Sequence, residues 1–227
     1  MKFIKFTKKG IYCIPGRFYL DPWYPVDHAI ISHGHADHAR WGNKKYFCHH
    51  HSKAILQHRI GGDILIESMG YNETRTINQV KVSFHPAGHI IGSAQIRLEY
   101  QGEVVVFTGD YKTQADFITE PFEPVKCHTF ITESTFGLPI YHWKTEQQLQ
   151  EQLHHWVLQN QTNNKTSVFI GYSLGKSQRI ISLVDGLDTI YVHRAIHNIN
   201  QAITSSRIHL PKTTLLTSDL YKKDIRE

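Results

Sequence analysis

The six residues His33, Gly34, His35, Ala36, Asp37 and His38 place four metal-ligating side chains in one short stretch. Histidines two apart in an extended turn can chelate one ion, and Asp37 and His38 then face a neighbouring position, so one loop can serve two metals. The chain holds 17 histidines in 227 residues, more than surface chemistry requires, and neutral imidazole is the commonest protein metal ligand. Any one of these histidines alone reads as a satisfied surface residue. Four ligand-type residues together at a strand end read as a metal loop.

Two further segments carry the same chemistry. In HPAGHIIGSAQ, His89 sits in a glycine-bearing turn where backbone can approach an ion closely. In VVVFTGD, Asp110 ends an apolar strand, and its carboxylate could bridge two cations roughly 3.5–4 Å apart, the separation used in two-metal hydrolysis. Each segment alone reads equally as structure.

Short strands must position these loops. KFIKF, GIYCI, RFYLD, HAIISH, KYFCH, VKVSFHP, AQIRLEY, EVVVFTGD and HTFIT show strand composition bounded by turn residues. A helix is expected from Ser52 to Ile60, stopped by Gly61-Gly62, and a second short helix after His38. His49, His50 and His51 read as a solvated turn outside the metal loop. Beyond a boundary near Leu138 to Lys144 the pattern alternates. Helices are expected over Glu146–Leu158, Lys176–Val184 and Ala195–Ser206, with strands at SVFIGY, DTIYVH and TTLL. Such alternation predicts a small parallel sheet with packed helices.

Composition sets the class. Hydrophobic residues make up 40% and charged residues 20%, as in an ordinary globular protein. No run approaches the roughly 18 apolar residues of a membrane helix, and the basic start leads into no signal-peptide core, so a cytoplasmic protein without membrane contact is expected. Cys13, Cys48 and Cys127 are odd in number and far apart, which disfavours both a disulfide framework and a CxxC metal site. The net charge of +5 is compatible with a polyanionic partner without requiring one.

The order Asp21, HGHADH, AGH with His89, and FTGD with Asp110 resembles the metallo-β-lactamase superfamily. FITESTFG, carrying Glu133, and GYSLGKSQRI resemble its β-CASP nuclease branch. YLDPWYPVDHAIISHGHADHARWG and PFEPVKCHTFITESTFGLPIY are similar to the bacterial DNA ligase-associated exonucleases, also called mRNA 3′-end processing factor-like proteins. The likeness spans nearly the whole chain. It implies an α/β protein: a metallo-β-lactamase-type αββα sandwich over residues 1–140 and an inserted β-CASP α/β domain over 141–227.

The resemblance further implies that His33, His35 and His89 hold one zinc, that Asp37 and His38 hold a second, and that Asp110 bridges them. Manganese or iron suits similar donors. Asp21 would orient a ligand histidine, or else is a turn residue before Pro22. Glu133 would orient a catalytic histidine, or else is a surface glutamate. Ser173, Lys176, Ser177 and Arg179 would contact phosphate at a helix N-terminus, or else form an ordinary helix start. Family members carry a later SDHAD-like motif with the catalytic histidine and a last metal-ligand histidine. Neither occurs in these 227 residues, so the β-CASP domain is expected to be C-terminally incomplete. His193, His197 and His209 read as surface or packing residues rather than substitutes.

The function so implied is metal-dependent hydrolysis of nucleic acid, as a DNA exonuclease of repair, with a DNA ligase or helicase as partner. RNA processing, small-molecule hydrolysis and nucleic-acid binding without cleavage are the alternatives.

Overall fold

The computed structural model describes residues 2–220, so the last seven residues of the domain expected over 141–227 lie outside it. The chain divides into two compact units, Met1–Ala115 with Thr119–Gly137, and Asp116–Ile118 with Leu138–Glu227.

The first unit is a sandwich of two sheets. Its first sheet runs in sequence order: β1 (Ile4–Thr7), β2 (Gly10–Cys13), β3 (Phe18–Leu20), β4 (His28–Ile30), β5 (Lys45–His49) and, after helix α1 (His50–Ile60), β6 (Ile66–Met69). The pairings of β1 with β2 and β2 with β3 are antiparallel, while β3 through β6 run parallel. The second sheet holds β7 (Thr74–Ile77), β8 (Val80–Pro86), β9 (Ala94–Tyr100), β10 (Glu103–Phe107) and β11 (Thr129–Ile131), with only β10 and β11 parallel. Residue alternation decides which face each sheet buries. In β8, Val80, Val82 and Phe84 are buried, while Lys81 points outward to pair with Glu99 across the strand at 2.9 Å. Phe18, Leu20, Ile30 and Phe47 of the first sheet share one core with Val82, Phe84, Ile96, Leu98 and Val105 of the second. Each such fully buried side chain contributes about 1.5–3 kcal/mol. A second core lies beneath α1, where Leu56 meets Ala29, Ile31, Tyr46, Cys48 and Ile66.

Three local expectations are corrected here. His49–His51 is not a solvated turn: His49 is buried, caps α1 by accepting from the His51 N–H, and stacks on Tyr71 with centroids 3.6 Å apart. No helix follows His38; a single turn forms, closed by Ala39 N–H donating to the His35 carbonyl at 2.8 Å. β6 and β7 were absent from the expected strands. Ile66–Met69 joins the sheet through parallel pairing with β5, and Thr74–Ile77 through antiparallel pairing with β8.

In the second unit, α2 (Glu146–Thr162) begins at a capping box in which Thr145 and Gln148 satisfy each other's backbone N–H groups. There follow α3 (Lys176–Leu183), β12 (Tyr191–Val192), α4 (Arg194–Ser205) and β13 (Thr214–Leu215), with β12 and β13 paired in parallel. His193 acts as the cap of α4, accepting from the Ala195 N–H at 3.2 Å. The expected strand at SVFIGY does not form. Residues 165–169 and Gly171 instead border a cavity of about 680 Å³ whose walls include Val157, Ile181 and Val192. Val168 and Ile170 stay exposed: strand propensity needs a partner ladder to be realised.

Candidate metal centre

The ends of four strands converge on the site. β3 and β4 run parallel in register Leu20 to Ile30, so the residues just beyond them, Asp21 and Ser32, emerge side by side. Asp21 is buried and adopts φ of 38°, which turns its carboxylate back toward the next strand end. Asp21 Oδ1 accepts from the Ser32 N–H at 2.7 Å, and its Oδ2 accepts from Ser32 Oγ and from His38 Nδ1, the latter at 2.8 Å. β10 and β11 form the matching parallel pair, with Phe107 opposite Ile131, and they deliver Asp110 and Glu133. The β8–β9 connection supplies His89, whose own N–H and that of Ile90 both donate to the buried Ser93 hydroxyl. Ala94 N–H donates to the Ser32 carbonyl at 2.8 Å and so ties this connection to the histidine loop.

Two glycines permit the close approach. Gly88 (φ 71°) and Gly109 (φ 54°) occupy the left-handed region, and a Cβ at Gly109 would overlap the Ser32 side chain.

The donor atoms form one compact set. His33 Nε2 lies 3.1 Å from His35 Nδ1, which lies 3.2 Å from His89 Nε2, and Asp110 Oδ2 lies 3.4 Å from His89 Nε2 and 3.8 Å from His33 Nε2. A tetrahedron with metal–nitrogen bonds of about 2.0–2.1 Å has edges of about 3.3 Å, so these spacings fit a single cation. The other oxygen, Asp110 Oδ1, lies 3.0 Å from His38 Nε2, which is 3.6 Å from Asp37 Oδ2. His33, His38 and Asp21 also lie close enough to be read as a ligand trio. The hydrogen bond that His38 Nδ1 donates to Asp21 instead makes Asp21 a support that leaves Nε2 directed at Asp110.

The electrostatics suit a cation. Complete burial and the surrounding histidines hold His33 well below its ordinary pKa, in the neutral form a metal requires. Burial likewise pulls His89 down to about 4. Burial alone would depress His38 too, but its hydrogen bonds to the Asp110 and Asp21 carboxylates prevail and push it up to about 10. Glu133 is raised, first by partial burial and then by the charge of Asp110.

The phosphate-contact residues expected in the second unit have differing surroundings. Lys176 is exposed, with its ammonium 5.6 Å from the Tyr172 ring centroid, and Ser173 is half-buried. Ser177 is buried and donates to the Tyr172 carbonyl, while Arg179 forms a two-pronged ion pair with buried Glu146. Sequence reasoning passed over Arg59. From α1 its guanidinium donates to the Gly34 carbonyl, between two loop histidines, a contact that 25 residues of separation conceal. Ser32 was also missed, although its place beside His33 was a usable signal.

No family model matches the chain. Sequence similarity does connect it to characterised groups. It is 28% identical over 212 residues to a "Probable DNA ligase" of Opitutus terrae, covering 92% of this chain and 21% of that protein. It is 27% identical to "Endoribonuclease ysh-1" of Neurospora crassa, over 70% of this chain and 23% of the relative. It is also 27% identical to an "RNase J-like protein" of Methanocaldococcus jannaschii, over 70% of this chain and 44% of the relative. These relatives belong to the β-CASP nuclease branch of the metallo-β-lactamase superfamily, and it is to that branch that the chain is similar. The chain spans between about a fifth and under half of the proteins it matches. Its fold also resembles that of an Enterococcus faecalis protein of unknown function, with TM-score 0.60 at 16% identity, covering 87% of this chain and 56% of the other. The donor set and this kinship together point to divalent metal binding.

Proposed function

We propose that the chain is a two-metal phosphodiesterase acting on nucleic acid, with DNA ends as the favoured substrate and RNA as the alternative polymer. The observation that carries this reading is the division of the Asp110 carboxylate. One oxygen joins His33, His35 and His89, and the other faces His38, whose Nε2 is in turn 3.6 Å from Asp37 Oδ2. His33, His35 and His89 would hold one ion, Asp37 and His38 the other, and Asp110 both. Zinc suits the nitrogen-rich set, and manganese or iron(II) is the alternative. Bound cations of this kind supply Lewis acidity toward phosphoryl oxygens and lower the pKa of water.

The protein's own part is to hold His33 and His89 neutral and the whole donor set fixed. Asp21 sets the orientation of His38, and Glu133 adds negative charge on the adjoining wall. The first unit corresponds in this reading to the metallo-β-lactamase-type domain and the second to the β-CASP domain, with phosphate contact assigned foremost to exposed Lys176. The name of the Opitutus relative supports a ligase-linked role, and the names of the ribonuclease relatives support the RNA alternative. Among the described residues no helix is long and apolar enough to cross a membrane.

Metal-loaded protein incubated with end-labelled single-stranded DNA, double-stranded DNA and RNA tests the reading, with Asp110→Ala as control. Metal-dependent cleavage lost in the control is the expected result. Turnover of a thioester or lactam with every nucleic acid left intact would overturn it.

A further inference from the structure

Next to the metal centre lies a cavity of about 290 Å³ to which the reading above assigns no occupant. Asp21, Asp37, His38 and Glu133 line it with polar groups; Ile11, Leu20 and Phe107 add apolar surface; Trp23, Arg40 and Gly109 complete the lining. Trp23 is about half exposed although the fold takes care to hold it. Its backbone N–H donates to the Lys9 carbonyl at 2.9 Å. Gly10, at φ of 123°, lets the β1–β2 turn lie against Pro22 and Trp23, since a Cβ there would sit 3.3 Å from Pro22 Cα. Arg40 presents an exposed cation on a segment anchored by its own carbonyl, which accepts from Tyr46 Oη at 2.9 Å and from Asn43 Nδ2 at 3.2 Å.

A large indole kept partly in solvent beside carboxylates and a guanidinium suits an occupant that is flat, aromatic and polar at its edges, and that is tethered to an anion. A nucleoside phosphate has that chemistry: indoles stack on any base, and arginine pairs with phosphate. The cavity shares His38 and Asp37 with the metal centre, so a phosphodiester placed at the donors would bring its adjoining nucleoside to Trp23.

We infer that this cavity is the seat of the nucleoside flanking the cleaved bond, with Trp23 stacking on its base and Arg40 facing its phosphate. The inference rests on the nuclease reading and assigns the substrate contacts of that same site. Because a stack recognises the face of a base rather than its edge, the subsite discriminates little among the four bases.

The test compares wild type, Trp23→Ala and Trp23→Phe on two oligodeoxynucleotides, one intact and one with abasic tetrahydrofuran residues at its terminal positions. Binding is read by fluorescence anisotropy in the presence of a chelator, and cleavage by kcat and KM with metal. Thermal melting and near-ultraviolet circular dichroism check that each variant is folded. Base–aromatic stacks correspond to about 5- to 150-fold in affinity, so Trp23→Ala should weaken binding of the intact strand and raise KM in that range, with kcat little changed. Trp23→Phe should retain most of the affinity. On the abasic strand wild type should bind as weakly as Trp23→Ala. Equal binding by wild type and Trp23→Ala on the intact strand, or a Trp23→Ala loss that persists on the abasic strand, overturns the inference. Wild-type cleavage without a Trp23 effect would sink this subsite alone, whereas a wild type that neither cleaves nor binds would sink both readings.

Discussion

Asp21 Oδ2 accepts a hydrogen bond from His38 Nδ1 at 2.8 Å, and the far nitrogen of the same ring stands 3.0 Å from Asp110 Oδ1. One imidazole is thus held between a carboxylate that fixes its orientation and a carboxylate that would share a metal ion with it. Because Asp21 is buried and also binds Ser32, its loss would disturb the whole loop.

Asp21→Asn keeps the size but loses the negative charge and one acceptor. Metal affinity or activity should fall by about 10- to 100-fold, the usual cost of losing a partner that supports a ligand. Metal titration against a competing chelator measures it; unchanged affinity would make Asp21 a plain turn residue.

Arg59 acts on the same loop from the other side through the Gly34 carbonyl. Arg59→Ala should weaken metal binding while Arg59→Lys restores part of it, because lysine keeps a donor but not the fork. Hydrogen exchange at residues 33–38 should rise in Arg59→Ala without global unfolding. Metal affinity unaltered in both variants would leave Arg59 a surface contact.

Gly109→Ala places a methyl against Ser32 in a left-handed backbone position. A strained non-glycine residue costs on the order of 1–3 kcal/mol, so the melting temperature should drop and metal content should fall with it. An alanine variant with wild-type melting and full metal content would show that this turn relaxes freely.

His49 provides a pH test remote from the metal ligands. Burial, then the neighbouring His51 and His50, hold its pKa down to about 3, against 6.5 for an ordinary histidine. The unfolded chain therefore takes up a proton that the folded chain refuses. The stabilisation is full above about pH 6.5 and is lost as pH falls toward 3. His49→Asn retains a helix-capping side chain without titrating. Urea midpoints recorded from pH 7.5 to 4 should fall less steeply for the variant, and parallel curves would reject the assignment.

The donor residues that the structure brings together were readable in the sequence because each group of them is local. HGHADH is one loop, His89 lies in one turn, and Asp110 ends one strand, so spacing alone exposes them. What supports them is not local. Arg59 reaches Gly34, and Asp21 reaches Ser32 and His38, only once parallel strand ends and α1 are assembled. Strand reading succeeded where alternation was strong, as in β8 and β9, and failed at β7, whose TRTI is mostly polar and half-exposed. It failed in the opposite sense at SVFIGY, where branched and aromatic residues favour extension but no ladder forms. The histidines at 49–51 misled through polarity, since composition cannot reveal that Tyr71 covers one of them.

The donors belong to both faces of the sandwich: His33, His35 and His38 follow the first sheet, whereas His89 and Asp110 follow strands of the second. An ion held by both sets behaves as a removable rivet between the sheets. Ligand linkage converts its concentration into stability, about 2.7 kcal/mol at a free level one hundred times Kd. Metal supply would therefore govern how long the protein endures as well as what it can do, so starvation for the ion would expose the chain to proteolysis.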